Sequence, residues 1–331
     1  LENLKHYPVM LDQVLSIISP QHGGTFVDCT FGGGGYSKAI LKFPETKVIA
    51  IDRDKITKKY SDKLQIEFPK RFNFIQEKFS NLNNIIEKNI KPRAIIFDLG
   101  LSTLQLIDKE RGFSFNSKDF LNMEMGMNEH SAYDIINNLD KDYLANIIKV
   151  FGDEKDGKII ANKIDKYRKQ KKIESSQELA LIVRSAKKNY NSYKKNPATK
   201  TFQAIRIFIN KEITELIHGL ISATKILSDG GLLIVVSFHS IEDKIVKNFF
   251  NIYSNIKKNP SRYLPIKEST PSIFKSISKK PLIADLDEIK KNINSRSAKL
   301  RYAVKNDNSL INFKDFEKKF SNYINLERSE I

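Results

Sequence analysis

The sequence predicts an α/β protein built on a Rossmann-like, mostly parallel sheet and interrupted by an inserted helical domain. Three observations carry this expectation. Strand and helix patterns alternate over the first hundred residues; no convincing strand occurs from Ile107 to Thr199; and strand and helix return beyond it. The boundaries read as 1–106 and 200–331 for the sheet domain and 107–199 for the insertion.

Each element has its own signal. Thr25–Thr30 (TFVDCT) is a short apolar run that ends in Phe31 and the glycines Gly32–Gly35, and Tyr36–Leu41 follows at helical spacing. Lys47–Asp52 (KVIAID) is a second strand with an acid at its C-terminal tip. Ile56–Phe68 reads as helix, Phe72–Gln76 as strand, Leu82–Ile90 as helix, and Ala94–Asp98 (AIIFD) as a fourth, acid-tipped strand. Within the insertion, helices are expected at Ala132–Asn137, Asp142–Val150, Lys158–Arg168 and Ser176–Ala186. Beyond it, Phe202, Ile205, Ile209, Ile213, Leu216 and Leu220 place one long helix over Thr201–Leu227, closed by Asp229-Gly230-Gly231. Leu232–Phe238 is a buried strand, Ile241–Phe250 a helix capped by Ser240 with Asp243 three residues on, and Leu300–Val304 a last strand. Asn259–Pro281, rich in Lys, Ser and Pro, reads as an extended excursion.

Composition narrows the function classes. The chain has 331 residues, 40% of them hydrophobic, which excludes wholesale disorder. Its net charge of +17 favours a polyanionic partner, although a chain rich in Lys, Ile and Asn owes part of that to composition. The excess is concentrated: Lys163–Lys200 holds twelve Lys or Arg against three Asp or Glu. Cys29 is the single cysteine, so no internal disulfide forms, which fits a reducing cytoplasm. The five histidines are scattered without zinc-ligand spacing, and no metal is expected. No apolar run reaches a membrane span, and Leu1–Met10 lacks the pattern of a signal peptide; because the chain begins at Leu1, a short leader stays open.

Three segments carry chemistry. Glycines after a first strand let a ligand approach the backbone closely. Asp52, eighteen residues after Gly34, can accept both hydroxyls of an adenosine ribose. Asp28 beside the loop suits a cationic amine better than a pyrophosphate, which favours S-adenosylmethionine over a nicotinamide dinucleotide; a turn without a ligand is the plain alternative. Asp98-Leu99-Gly100-Leu101-Ser102-Thr103 follows the fourth strand, where open α/β sheets bind ligands; a loop-capping Asp is the alternative there. Ser237-Phe238-His239-Ser240-Ile241-Glu242-Asp243 ends the later strand, and places His239 at the same rim, either as a catalytic or as a structural residue.

The ordered set of His6-Tyr7-Pro8-Val9, the TFGGGG loop, Ile51-Asp52-Arg53-Asp54, DLGLSTLQL, Glu110–Phe115, Pro197–Ala204, GGLLIVVSFHSIEDKIVKNF and Ser295–Arg301 resembles the bacterial 16S ribosomal RNA (cytosine-N4) methyltransferases, the RsmH or MraW family. The resemblance covers nearly the whole chain. It implies a class I S-adenosylmethionine-dependent methyltransferase fold and methylation of a cytosine amine in the decoding region; the alternatives are a methyltransferase for a different RNA or protein substrate and a catalytically decayed RNA-binding protein on this scaffold. The implied partner is 16S rRNA or the assembled small subunit, without a membrane, and a homodimer is one assembly compatible with it. It implies cofactor contacts from Gly34, Gly35, Tyr36, Asp52, Phe79, Asp98 and Gln105. Asp98 is the expected proton acceptor for the amine and His239 a second acceptor or relay. Phe113, Phe115 or Phe238 could stack on a splayed base, and membership of the core is the equal alternative for each. Two departures stand out. Tyr36 replaces a histidine of the family pattern, and Lys118–Gly126 (KDFLNMEMG) lacks the family's glycine and proline and carries Asn122 and Glu124 where an acid and an arginine are usual.

Overall fold

The computed structural model describes residues 8–187, 196–254, 272–306 and 312–328. His6 and Tyr7, part of the basic 163–200 block, and 259–271 of the expected excursion lie outside the described residues.

The chain forms one mixed sheet. Its parallel strands are β1 (Gly24–Asp28), β2 (Thr46–Asp52), β3 (Phe72–Gln76), β4 (Ala94–Asp98) and β5 (Leu232–Ser237). β6 (Phe274–Ile277), β7 (Leu282–Ile283) and β8 (Lys299–Lys305) complete it, and β8 runs antiparallel to β5, β6 and β7. The order is β3-β2-β1-β4-β5-β8-β6, with β7 beside β8. This is a class I methyltransferase sheet: strand order reverses after β1, and an antiparallel strand follows β5.

The sheet is covered on both faces. Phe26, Val48, Ala50, Ala94, Ile96, Ile234 and Val236 join one core cluster with Met10, Val14 and Ile18. Their strand neighbours Val27, Ile49, Ile95, Phe97, Leu233 and Val235 are buried as well. Successive strand side chains point to opposite faces, so continuous burial requires helices on each side. Connecting helices are α1 (Leu11–Ile18), α2 (Gly35–Leu41), α3 (Lys58–Glu67) and the single turn α4 (Leu82–Ile85), which is shorter than the expected Leu82–Ile90.

The chain divides into two compact units: Leu1–Gly100 with Glu215–Lys319, and Leu101–Thr214 with Phe320–Ile331. The second unit contains α5 (Thr103–Ile107), α6 (Ala132–Asn138), α7 (Lys141–Gly152), α8 (Gly157–Arg168), α9 (Ser176–Ala186) and α10 (Thr199–Asn210). Among its described residues the only strand-like pairing is the isolated bridge Phe120–Ser175. The expected boundary at 199 falls short of Thr214, because α10 packs along α7.

Two further differences have physical causes. The helix expected over Thr201–Leu227 is two helices, α10 and α11 (Glu212–Ile226), broken at Lys211, whose φ is +51°. Apolar periodicity runs through a one-residue left-handed break without registering it. The segment expected as an excursion holds β6 in its described part, because Phe274 seats against Phe249 and Phe250 of α12 (Ser240–Ile252). The remaining helices are α13 (Leu286–Lys291), α14 (Lys314–Lys319) and α15 (Ser321–Arg328). No described helix is long and apolar enough to cross a membrane.

Candidate active site

The C-terminal ends of β1, β2 and β4 bring three carboxyl groups beside the glycine loop. Asp28 is fully buried; its Oδ2 accepts from Ser37 Oγ at 2.7 Å and its Oδ1 from the Thr30 N–H at 3.3 Å. Burial raises its pKa to about 6 against the pull of those bonds. Both oxygens brace the loop, so the ammonium contact expected of Asp28 has competition from within the chain. Asp52 is tied in the same way: Oδ2 accepts from the Gly32 N–H at 2.7 Å and Oδ1 from the Asp54 N–H at 2.9 Å. Burial, then the charges of Asp54 and Asp28, raise it to about 6.

Asp98 differs from both. Its own N–H donates to Thr30 Oγ1 at 2.7 Å, but its carboxylate Oδ1 is sealed from solvent without a hydrogen-bond partner among the described residues. Burial drives its pKa well above the usual carboxylate value, and the negative charges of Asp28 and Glu242 push further. An orphaned buried oxygen of this kind is costly unless a ligand satisfies it.

The loop itself is shaped by packing. Gly32 and Gly34 have φ of +52° and +79°. A Cβ on Gly34 would lie 2.9 Å from the Phe31 ring, and one on Gly35 would lie 2.2 Å from Pro8 Cγ. The Tyr36 side chain is buried and its hydroxyl donates to the Val9 carbonyl, which leaves only its backbone for a ligand. Phe79 follows β3 and meets Phe97 edge-on at 5.2 Å between centroids; a Cβ on Gly219 of α11 would lie 2.6 Å from its ring. Gln105 belongs to the helical unit, where it completes a capping box: its Oε1 accepts from the Ser102 N–H at 3.0 Å.

At the end of β5 the expected cap is displaced by one residue. The N-cap of α12 is His239, not Ser240, and its partner is Glu242, not Asp243. His239 Nδ1 accepts from the Glu242 N–H at 3.4 Å, while Glu242 Oε2 accepts from the N–H groups of Phe238 at 2.8 Å and His239 at 3.2 Å. Glu242 Oε1 lies 3.1 Å from His239 Nε2. Asp243 turns elsewhere, to Arg301 Nε at 2.7 Å and Lys299 Nζ at 3.3 Å, which joins two of the sequence motifs. Glu242 and Thr30 are the residues that the sequence reading did not single out; the S-x-x-E-like spacing around His239 was the available signal for the first.

A family model described as MraW methylase family matches residues 3–306. The chain belongs to the MraW methylase family. A relative from Wolbachia sp. subsp. Drosophila simulans (strain wRi), bearing the name Ribosomal RNA small subunit methyltransferase H, is 43% identical over 301 residues, 90% of this chain and 98% of that one. A protein of the same name from Ehrlichia canis (strain Jake) is 43% identical over 303 residues, 91% of this chain and 99% of its own. Among solved structures, an rRNA methylase from Streptococcus thermophilus aligns with 10% identity and a TM-score of 0.39, over 89% of this chain and 96% of that one, an overlap too loose to add to the topology above.

As an MraW methylase the chain uses S-adenosylmethionine. The donor set at the β1, β2 and β4 tips fits that cofactor. It offers carboxylates and a close-approach loop, and the charges that act on Asp98 are negative, which a cationic ligand offsets.

The helical unit engages much of the basic 163–200 block internally. Arg168 and Lys169 pair with Asp165 at 2.9 and 2.7 Å, Lys171 with Glu178 at 3.4 Å, and the buried Lys187 with Glu154 at 2.5 Å. Arg206 pairs with Glu212 at 2.8 Å. Lys163, Lys166 and Lys172 are exposed, as is Lys200, whose Nζ also donates to the Asp153 carbonyl at 2.5 Å. Phe113 is buried, and Phe115 packs edge-on against Phe202 at 4.8 Å, so both serve the unit's own packing. Phe238 is part-exposed beside Gly100, where a Cβ would lie 3.5 Å from its ring. The divergent 118–126 segment is pinned by amides: Asn210 Oδ1 accepts from the Met125 N–H at 2.7 Å, and Asn122 Oδ1 from the Glu124 N–H at 2.7 Å.

Proposed function

We propose that this methylase transfers a methyl group from S-adenosylmethionine to the exocyclic N4 amine of a cytidine in the decoding region of small-subunit rRNA. Relatives at 43% identity that carry the ribosomal small-subunit name support an rRNA substrate. The observation that carries the chemistry is Asp98, whose sealed Oδ1 has no hydrogen-bond partner among the described residues.

When bound, the cofactor supplies an electrophilic methyl group and a positive charge. Gly34, Gly35, the Tyr36 backbone and Asp52 would hold it, with Phe79 beside its adenine. The cytosine amine is a weak nucleophile because its lone pair is delocalised into the ring. Asp98 accepts one of the amine's hydrogen atoms, localises the lone pair, and takes the proton that the amine sheds on methylation. Its raised pKa makes it a stronger base than an ordinary carboxylate, and the cofactor's charge favours the ionised form. His239 enters as the residue that fixes the Phe238 turn. Its Nδ1 lone pair is engaged by the Glu242 amide, which leaves Asp98 as the acceptor. Phe238 is the aromatic at the rim available to stack on a splayed base. Lys163, Lys166, Lys172 and Lys200 hold phosphates.

The test uses radiolabelled S-adenosylmethionine and small subunits lacking the modification, followed by nucleoside chromatography. Label in N4-methylcytidine that disappears in Asp98→Asn, with cofactor binding retained, supports the reading. Label in another nucleoside, or none, overturns it.

A further inference from the structure

The Pro8–Met10 segment takes no part in the reaction just described, yet three elements grip it. The Pro8 ring occupies the space that a side chain on Gly35 would fill. The Tyr36 hydroxyl donates to the Val9 carbonyl. The Met10 N–H donates to Glu288 Oε1 on α13, a residue 278 positions away. Val9, Met10, Tyr36 and Glu288 are all buried. Met10 sits in the left-handed region at φ +53°, a conformation that a residue with a β-carbon keeps only where its surroundings fix it. Glu288 is itself held, since its N–H donates to Asp285 Oδ1 at 2.8 Å. Burial, then the charges of Asp98, Asp28 and Glu288, raise the Tyr36 phenol well above its ordinary value.

We propose that Pro8–Met10 is a fixed wall of the cofactor pocket, and that Glu288 and Tyr36 are positioning residues that hold it there and govern cofactor exchange. The inference rests on the reading of Gly35 as a cofactor contact. Without the Glu288 carboxylate the Met10 N–H loses its acceptor, Pro8 lifts from Gly35, and the pocket opens on that side. The chemistry at Asp98 is untouched, so the effect falls on binding and not on turnover.

The experiment loads the full chain with radiolabelled S-adenosylmethionine and chases with unlabelled cofactor. Glu288→Ala is expected to speed dissociation about tenfold and raise the cofactor KM, with kcat on ribosomal subunits changed by less than about twofold. Glu288→Gln, which keeps an acceptor oxygen, restores most of the slow exchange. Pro8→Gly removes only the ring against Gly35 and is expected to show the same KM signature; it decides the matter alone if Glu288→Ala does not fold. Dissociation unchanged in Pro8→Gly and in folded Glu288→Ala overturns the proposal and leaves Glu288 as a brace for α1. A wild-type chain that binds no S-adenosylmethionine defeats the reading of the site instead.

Discussion

Asp52→Asn separates what the site costs the fold from what it gives the ligand. In the folded chain its pKa is raised from 3.8 to about 6 by burial, so its ionised form is disfavoured by about 3 kcal/mol relative to the unfolded chain. A raised carboxyl pKa means that this stability is present at low pH and is lost as pH climbs from about 4 through about 6. Asparagine removes the charge. It also keeps only one acceptor for two backbone donors, Gly32 N–H and Asp54 N–H, at a cost of about 1–3 kcal/mol. The terms nearly cancel above pH 7, so the variant is expected to be about as stable as the wild type there. Between pH 5 and pH 8 its stability relative to wild type should improve by about 1.4 kcal/mol, one pH unit of ionisation cost. Cofactor affinity should fall at least about tenfold, because the ribose loses a carboxylate acceptor. Urea denaturation at the two pH values and calorimetric titration with S-adenosylmethionine read both quantities. A variant with wild-type affinity, or one whose relative stability does not move with pH, refutes the reasoning.

Gly219→Ala drives a methyl group into the Phe79 ring; overpacking of about 1–3 kcal/mol exceeds a helix-propensity gain of about 1 kcal/mol, so stability falls and the cofactor Kd rises as Phe79 shifts. An unchanged Kd would separate Phe79 from the adenine. Glu327 of α15 accepts from the N–H groups of Ile213 at 3.0 Å and Thr214 at 2.7 Å, and burial raises its pKa from 4.5 to about 8. Thermal stability should therefore decline as pH rises from about 4.5 through about 8, and Glu327→Gln should flatten that decline. RNA affinity should fall with salt at a logarithmic slope of about −3 if the four named lysines hold phosphates, and Lys163→Ala should lower the slope by just under one. A slope near zero removes them from the interface.

The parallel half of the sheet was open to view in the sequence because its signals are local. Phe72–Gln76 and Ala94–Asp98 stand at the expected residues, and Leu232–Ser237 ends one residue early. Long apolar runs read as buried strands without any tertiary knowledge. β6 and β7 stayed hidden, because four- and two-residue strands among Lys and Ser owe their existence to β8 and not to their own composition. The same rule held at the site. Asp52 and Asp98 announced themselves as acids at strand tips, whereas Thr30 and Glu242 act through backbone amides, for which residue type gives little notice. The cap at His239 was missed for a related reason. Histidine is not among the preferred capping residues, and Ser240 beside it is.

The helical unit is assembled from two stretches of chain that synthesis produces far apart in time. Tyr143 Oη donates to the Leu326 carbonyl at 2.5 Å, the Tyr323 ring stacks on Phe151 at 6.1 Å, and Glu327 caps the start of α11. None of these contacts exists until α15 has left the exit tunnel. A nascent chain can fold its early strands long before then, but its insertion must wait, with α7 and the first turn of α11 lacking their final partners. Folding of the insertion should therefore include a late closing step, and a nascent chain stalled before Tyr323 should carry a helical insertion that proteases attack first.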